Sequence, residues 1–391
     1  MEKEQLKPLS FYIHIPYCIR RCGYCDFNTY TPSELKDGEA SVAKVSQGYV
    51  DAAIIEINQA FAFFDDKNQV RPIETIFFGG GTPTLLPAVD LARILDELRE
   101  KFGFSENIEI TTEANPDSVS AVDLKNLRTA GMNRVSFGMQ SAKTHVLATL
   151  DRTHNPARVS EVVNEAIEAG FEHVSLDLIY GVPGESIDDW KESVTAALSL
   201  PIDHLSAYAL IVEEGTKLGA QVRRGDVVMP PDDESADKYL LVDELATKAG
   251  MDWYEVSNWS LTGGEARHNI AYWHSNDWWG IGAGAHSHVQ GVRWWNVKHP
   301  TTYISKLISG ESPMLENETL TKEQMRFEEI LLRIRLSSGL PLAFFTEAEL
   351  AILNSYLALG HLDEKVWQSG QLKLSISGRL LADQIVRALD N

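Results

Sequence analysis

Residues 14–27 read His14-Ile15-Pro16-Tyr17-Cys18-Ile19-Arg20-Arg21-Cys22-Gly23-Tyr24-Cys25-Asp26-Phe27 and hold every cysteine of the 391-residue chain. Random placement would bring three cysteines this close on the order of one time in a thousand, so the spacing needs a chemical reason. Thiols packed as small hydrophobes leave unexplained both the clustering and the charged neighbours Arg20, Arg21 and Asp26. A zinc site would need a fourth ligand, which His14 could supply, but C-x3-C-x2-C is not a usual zinc spacing. Three thiolates on one short loop suit three corners of an iron-sulfur cube, leaving the fourth iron open to a ligand that is not protein.

The surroundings bound the function. The chain carries 35 Lys and Arg against 56 Asp and Glu, a net charge of -21, with no basic run longer than Arg20-Arg21 or Arg223-Arg224. Such a surface repels a phosphate backbone, so no nucleic-acid partner is expected. The charged start and short apolar run at 11–15 do not read as a signal peptide. No stretch approaches 18 consecutive apolar residues, and an odd cysteine count does not suit a secreted disulfide framework. A cytoplasmic protein is expected.

Apolar strand-like runs at 11–15, 75–78, 108–112, 134–137, 174–179 and 205–210 alternate with amphipathic segments such as 91–101, 121–130 and 159–169. Alternating β and α units predict an α/β fold, a parallel sheet with right-handed crossovers. Six units make an open, partial (β/α)6 barrel. In such folds ligands gather at the carboxyl ends of the strands, and each unusual feature lies late in a strand or just after one. These are the cysteine loop, Gly79-Gly80-Gly81-Thr82-Pro83-Thr84, Glu113-Ala114-Asn115-Pro116, Gln140, Asp177 and Tyr208. Each has a bland reading as well: a glycine turn, a solvated carboxylate, or, for Arg152, an ordinary surface arginine. On the rim, the glycines would let a ligand approach the backbone. Glu113 would pair with an amine, Arg152 would offer a fork to a carboxylate, and Asp177 would meet hydroxyls.

C-x3-C-x2-C with an aromatic, here Tyr24, before the last cysteine resembles the signature of the radical S-adenosylmethionine (SAM) superfamily. The resemblance narrows at Tyr12-Ile13-His14-Ile15-Pro16, Gly79–Thr84, Glu113–Pro116, the run 134–141, Arg152 with His154, Asp177–Pro183 and Glu213-Glu214-Gly215-Thr216. These are similar to the branch containing oxygen-independent coproporphyrinogen III dehydrogenase, over about residues 11 to 290. The resemblance implies a radical SAM barrel with a [4Fe-4S] cluster on Cys18, Cys22 and Cys25. It also implies SAM contacts from Tyr12, Tyr24, Gly80, Gly81, Thr82, Pro83, Glu113, Gln140, Arg152 and Asp177. The open iron would bind SAM and donate an electron that cleaves it, which requires an electron donor.

Within that branch the chain looks like the HemW-type haem chaperones. It has Phe27 where the dehydrogenase has a further cysteine, and only ten residues precede Phe11. It also has the subfamily's H-N-x-x-Y-W motif as His268-Asn269-Ile270-Ala271-Tyr272-Trp273. The resemblance implies haem (heme b) as cargo, bound through His268, Asn269, Tyr272 and Trp273, and delivered to haem-accepting apoproteins such as respiratory enzymes. A homodimer and peripheral seating at the inner face of the membrane are compatible with it. Seven of the nine tryptophans lie between Trp253 and Trp295 beside His268, His274, His286 and His288. Aromatic faces can hold a flat macrocycle and a neutral imidazole can ligate its iron. His286, after the run Gly280-Ile281-Gly282-Ala283-Gly284-Ala285, competes with His268, and both have the plain alternative of a core histidine. The alternatives to the chaperone are the dehydrogenase itself and a radical SAM enzyme modifying tRNA.

Three regions are expected: the barrel over 1–229, an aromatic-rich extension over 230–315 packing on the barrel mouth, and a small winged-helix-like module over 316–391. In the last, a strand at 372–376, a turn at Gly378 and a helix at 380–389 follow a helix at 322–336.

Overall fold

A computed structural model describes residues 6–35 and 42–390. Six strands, β1 (Leu9–Ile15), β2 (Ile73–Gly80), β3 (Phe104–Ala114), β4 (Arg134–Gln140), β5 (His173–Tyr180) and β6 (His204–Ala209), pair in sequence order, all parallel. They are the six strands that the apolar runs predict. Alternation on β1 shows how the layers arise: Leu9, Phe11, Ile13 and Ile15 are fully buried. Phe11 packs its ring 5.0 Å from Phe102 of the outer helix Ala88–Phe102. The intervening Tyr12 and His14 project into the barrel. On that helix Leu91, Ile94, Leu95, Leu98 and Phe102 recur with helical period and meet the sheet. The crossover helix Ala121–Ala130 starts at a Ser120–Asp123 capping box and stops at Gly131, which takes the left-handed conformation.

The extension adds strands at both edges of the sheet rather than only covering its mouth. β7 (Asp252–Glu255) and β8 (Asn258–Ser260) form a hairpin antiparallel to β6, while β9 (Asp277–Ile281) lies parallel to β1. β10 (His286–Val289), β11 (Val292–Asn296) and β12 (Met314–Thr319) continue as an antiparallel meander, completing a 12-stranded sheet. Side chains alternate between faces along these strands, which divides the paired tryptophans. Trp279 and Trp294 are buried against Phe63 of the helix Val42–Asp65, whereas Trp278 and Trp295 face the other way into a cavity.

Arg134 at the amino end of β4 and Glu109 midway along β3 form an ion pair at 3.2 Å, both almost fully buried. Arg134 donates to the Gly264 and Glu265 carbonyls, and Glu109 accepts the Arg267 and His268 backbone N–H groups at 3.1 and 2.9 Å. This pair fixes the short helix Arg267–Trp273 inside the barrel.

A separate core forms around Ile330, Ile334, Leu353, Leu372 and Ile385 in the C-terminal helices. β13 (Leu340–Pro341) and β14 (Gln371–Leu372) pair over two residues only. The wing is therefore shorter than a strand at 372–376, and Gly378 lies inside the helix Ile376–Leu380 rather than in a turn. A Cβ there would meet the His361 carbonyl oxygen, so close packing explains this glycine. Arg379 ties the module to the body, pairing with Asp243 at 2.7 Å and lying 4.4 Å from the Trp253 ring. Among the described residues no helix is long and apolar enough to cross a membrane.

Candidate functional site: a cysteine loop between two cavities

The loop after β1 carries the three thiols to the carboxyl rim. There Cys18, Cys22 and Cys25 line a cavity of about 150 Å3 together with Gly80, Gly81, Thr82, Glu113, Gln140, Arg152 and Asp177. Tyr24 lines it too, so residues from five strand ends converge. Among the described residues no three His, Cys, Asp or Glu side chains converge on a single ion position. In an iron-sulfur cube each thiolate takes a different iron, so the three sulfurs need not meet at one point. Burial pushes the Cys18 thiol up and the Cys25 thiol up to about 11. As free thiols they stay protonated, so metal loading must release protons.

Each rim residue has a definite partner. The Arg152 guanidinium donates to the Gly138 carbonyl at 2.8 Å and lies 3.7 Å from Cys22 Sγ. Asp177 accepts hydroxyl hydrogen bonds from Ser136, at 2.9 Å, and from Ser206. Glu113 has a weaker cradle, the Gly80 N–H at 3.2 Å. Burial first, then the charge of Asp177, raises its pKa to about 8. Near neutral pH Glu113 is therefore held mostly as the neutral acid, and an arriving cation would favour its ionisation. Gln140 takes φ 61, a left-handed conformation seldom adopted by residues other than glycine and often found at sites. Gly80 and Gly81 serve packing as well as access. A Cβ on Gly80 would strike the His14 ring, and one on Gly81 would lie 2.9 Å from the Ile15 carbonyl oxygen. Pro83 is buried at the start of a 3-10 turn, away from the cavity lining, and Tyr12 faces the neighbouring cavity instead.

That neighbour is much larger, about 1600 Å3. It shares Cys22, Cys25, Phe27, Gly80 and Glu113 with the small cavity. Its far wall comes from the extension: Tyr272, Trp278, His286, His288, Trp295 and His299. A third cavity of about 400 Å3 fills the barrel lumen below, lined by Glu113, Arg134, Asp177, His204, Tyr208 and Asn269.

The wall and the cysteine loop are joined by one buried network. Glu56, alone among apolar neighbours in its helix, accepts from Gly282 N–H at 2.8 Å, Asn296 Nδ2 at 2.7 Å and Tyr303 Oη at 2.6 Å. Tyr49 Oη accepts from Ala283 N–H and donates to the His14 carbonyl, both at 2.8 Å. Asn28 reaches from the cysteine loop to the Ala283 and Lys298 carbonyls. Burial raises the Glu56 pKa to about 7 despite these donors. The folded state then keeps a proton that the unfolded chain has already lost, so stability falls as pH rises from about 4.5 to about 7. The expected loss is roughly 3 kcal/mol at most. Urea midpoints at pH 5 and pH 8 should show it, and Glu56→Gln should flatten this part of the profile; a variant with the wild-type slope would contradict it.

Comparison with known proteins agrees with this geometry. Residues 12–197 match the family model described as the Radical SAM superfamily. The chain is 47% identical to "Heme chaperone HemW" of Mycobacterium tuberculosis H37Rv, over 98% of this chain and 95% of that one. It is 35% identical to the Bacillus subtilis protein of the same name, over 86% of each chain. The chain belongs to the HemW family of radical SAM proteins. A solved structure of coproporphyrinogen III oxidase (HemN) from Escherichia coli superposes with a TM-score of 0.82. It covers 99% of this chain and 91% of that one, at 22% identity, a likeness of fold. Membership of the superfamily implies a [4Fe-4S] cluster and SAM, and the thiol loop and polar rim fit both.

The family's H-N-x-x-Y-W motif forms the helix Arg267–Trp273, but His268 does not stand open as an iron ligand. It is 1% exposed, with Nδ1 2.7 Å from Thr75 Oγ1 and Nε2 3.0 Å from Tyr272 Oη. Its ring stacks on Phe77, and burial lowers its pKa to about 3. The motif also divides its side chains. Tyr272 reaches the large cavity and Asn269 the lumen, while Trp273 lies beside the buried Glu255. Sequence reasoning missed Asp151, which pairs with Lys217 at 2.8 Å and Arg20 at 3.5 Å and braces the cysteine loop against Gly23. A carboxylate beside Arg152 was the only local signal.

Proposed function

We propose that this protein is a haem chaperone, binding haem in the large cavity beside the cluster loop and handing it to acceptor apoproteins. The observation that carries this reading is the shared wall: Cys22, Cys25 and Glu113 border both the small polar cavity and the wide aromatic one. The curated relatives named above are heme chaperones across nearly the whole chain. The wide cavity has the size, aromatic faces and imidazoles that a porphyrin needs.

In this reading Cys18, Cys22 and Cys25 hold the cluster and the small cavity holds SAM. When bound, the reduced cluster supplies the electron that cleaves the SAM sulfonium. The chain's residues bind and orient. Glu113 receives the SAM amino group, and Arg152 stays positive between Gly138 and Cys22. Asp177, with Gln140, Thr82 and the glycine backbone, frames the rest, and Tyr24 lines it, while Pro83 packs behind the glycine turn and Tyr12 stands on the side of the larger cavity. Tyr272 walls the haem cavity, while Asn269 and Trp273 anchor the helix behind it. An electron donor is required for SAM cleavage, and the protein acts in the cytoplasm, near the inner face of the membrane where respiratory acceptors lie. A homodimer is compatible with this arrangement, and no nucleic acid takes part.

The dehydrogenase reading is weaker because Phe27, 59% exposed and lining both cavities, stands where that enzyme has a further cysteine. An anaerobic haem titration of the reconstituted protein, run beside coproporphyrinogen III with SAM and reductant, separates the two. Saturation near one haem per chain with the porphyrinogen unchanged is expected. Porphyrinogen turnover without saturable haem uptake would favour the enzyme.

A further inference from the structure

The large cavity presents four histidines, and their hydrogen bonds distinguish them. His14 has both ring nitrogens engaged, by Tyr12 Oη at 3.0 Å and the Asn28 carbonyl at 2.8 Å. His299 uses Nδ1 to cap the helix Pro300–Ile308. His288 has neither ring nitrogen hydrogen-bonded, but it lies under Trp278, 4.9 Å between ring centres, and is only 3% exposed, so burial rather than bonding closes it off. Of the four, His286 alone combines exposure to the cavity with ring nitrogens that have no hydrogen-bond partner among the described residues.

Strand register explains why. His286 sits opposite Trp295 in the β10–β11 pairing, so both side chains project from the same face of the sheet, toward the cavity. Their rings stack, 5.6 Å between centres with an interplanar angle of 23°. The indole thus fixes the imidazole plane without occupying a nitrogen. Partial burial, then the charge of Lys298, lowers the His286 pKa and keeps the ring neutral. A neutral ring retains the lone pair that a metal ligand needs. Lys298 and Arg21 line the same cavity and offer counter-charges to the carboxylates at a porphyrin edge.

We infer that His286, stacked on Trp295, provides the axial nitrogen to haem iron, and that His268 serves the barrel interior instead. The assignment rests on the haem-chaperone reading above, so the experiment must separate the two. Anaerobic haem titrations of wild-type protein, His286→Ala and His268→Gln, followed by Soret absorbance and by electron paramagnetic resonance of the ferric form, do so. Circular dichroism checks that each variant is folded. Wild type should saturate. His286→Ala should bind at least about tenfold more weakly with an altered Soret and spin state, and added imidazole should restore both. Folded His268→Gln should retain the wild-type spectrum.

Saturable binding by wild type with an unchanged spectrum in His286→Ala would overturn the ligand assignment and leave the chaperone reading standing. Weaker binding with the wild-type spectrum and no imidazole rescue would do the same, showing a packing role alone. Absence of saturable binding by wild type would overturn the chaperone reading itself.

Discussion

Replacing Cys18, Cys22 or Cys25 singly with alanine is expected to reduce iron, after anaerobic reconstitution, from about four atoms per chain to background. The visible charge-transfer absorbance should vanish with it, and so should SAM binding through the open iron. The effect should be all or none because the chain has no fourth cysteine to substitute. His14, the histidine nearest in sequence, cannot compensate, since both its ring nitrogens are already engaged. The polypeptide around the loop should remain in place. Tyr30 N–H bonds the Pro16 carbonyl at 2.6 Å, Cys18 N–H bonds the Tyr30 carbonyl at 3.1 Å, and Asp151 braces Gly23 from outside. Far-ultraviolet circular dichroism should therefore match wild type. Full iron occupancy in any single variant would show that another residue holds that corner.

A comparably large effect is expected in stability at the Arg134–Glu109 pair. Both groups are removed from water, and removing one leaves the other charged and uncompensated. Glu109→Ala or Arg134→Met should cost roughly 3–5 kcal/mol in urea unfolding. Glu109→Ala also strips the Arg267 and His268 N–H groups of their acceptor. The double variant Arg134→Met/Glu109→Leu should recover only the part due to the uncompensated charge, because the Arg267 and His268 N–H groups still lack their acceptor. Single variants within about 1 kcal/mol of wild type would contradict the anchoring role, since surface substitutions typically stay near that range.

The barrel and its rim were legible in the sequence because their signals are local. Each strand run and each rim motif sits within a dozen residues, and the cysteine spacing declares its chemistry directly. Residues coupled across the chain were not legible. Glu56 contacts Gly282, Asn296 and Tyr303, and Asn28 contacts Lys298. No periodicity links such distant positions, although one carboxylate inside the otherwise apolar run Ala52–Ile57 was a usable hint. The parallel placement of β9 beside β1 belongs to the same class. The doubled tryptophans at 278–279 and 294–295 could have been read as one core and one cavity residue each, given strand alternation. His268 shows the converse limit: a motif identifies a residue, while only its neighbours decide whether a ring nitrogen is free.

Delivery is the property on which the account stands. Reconstituted protein carrying one haem per chain, mixed anaerobically with a haem-free acceptor, should lose its Soret band as the acceptor's band grows in stoichiometric amount. Transfer should be faster than haem release into a passive scavenger, which marks a handover rather than dissociation. Transfer no faster than that release would contradict the chaperone function.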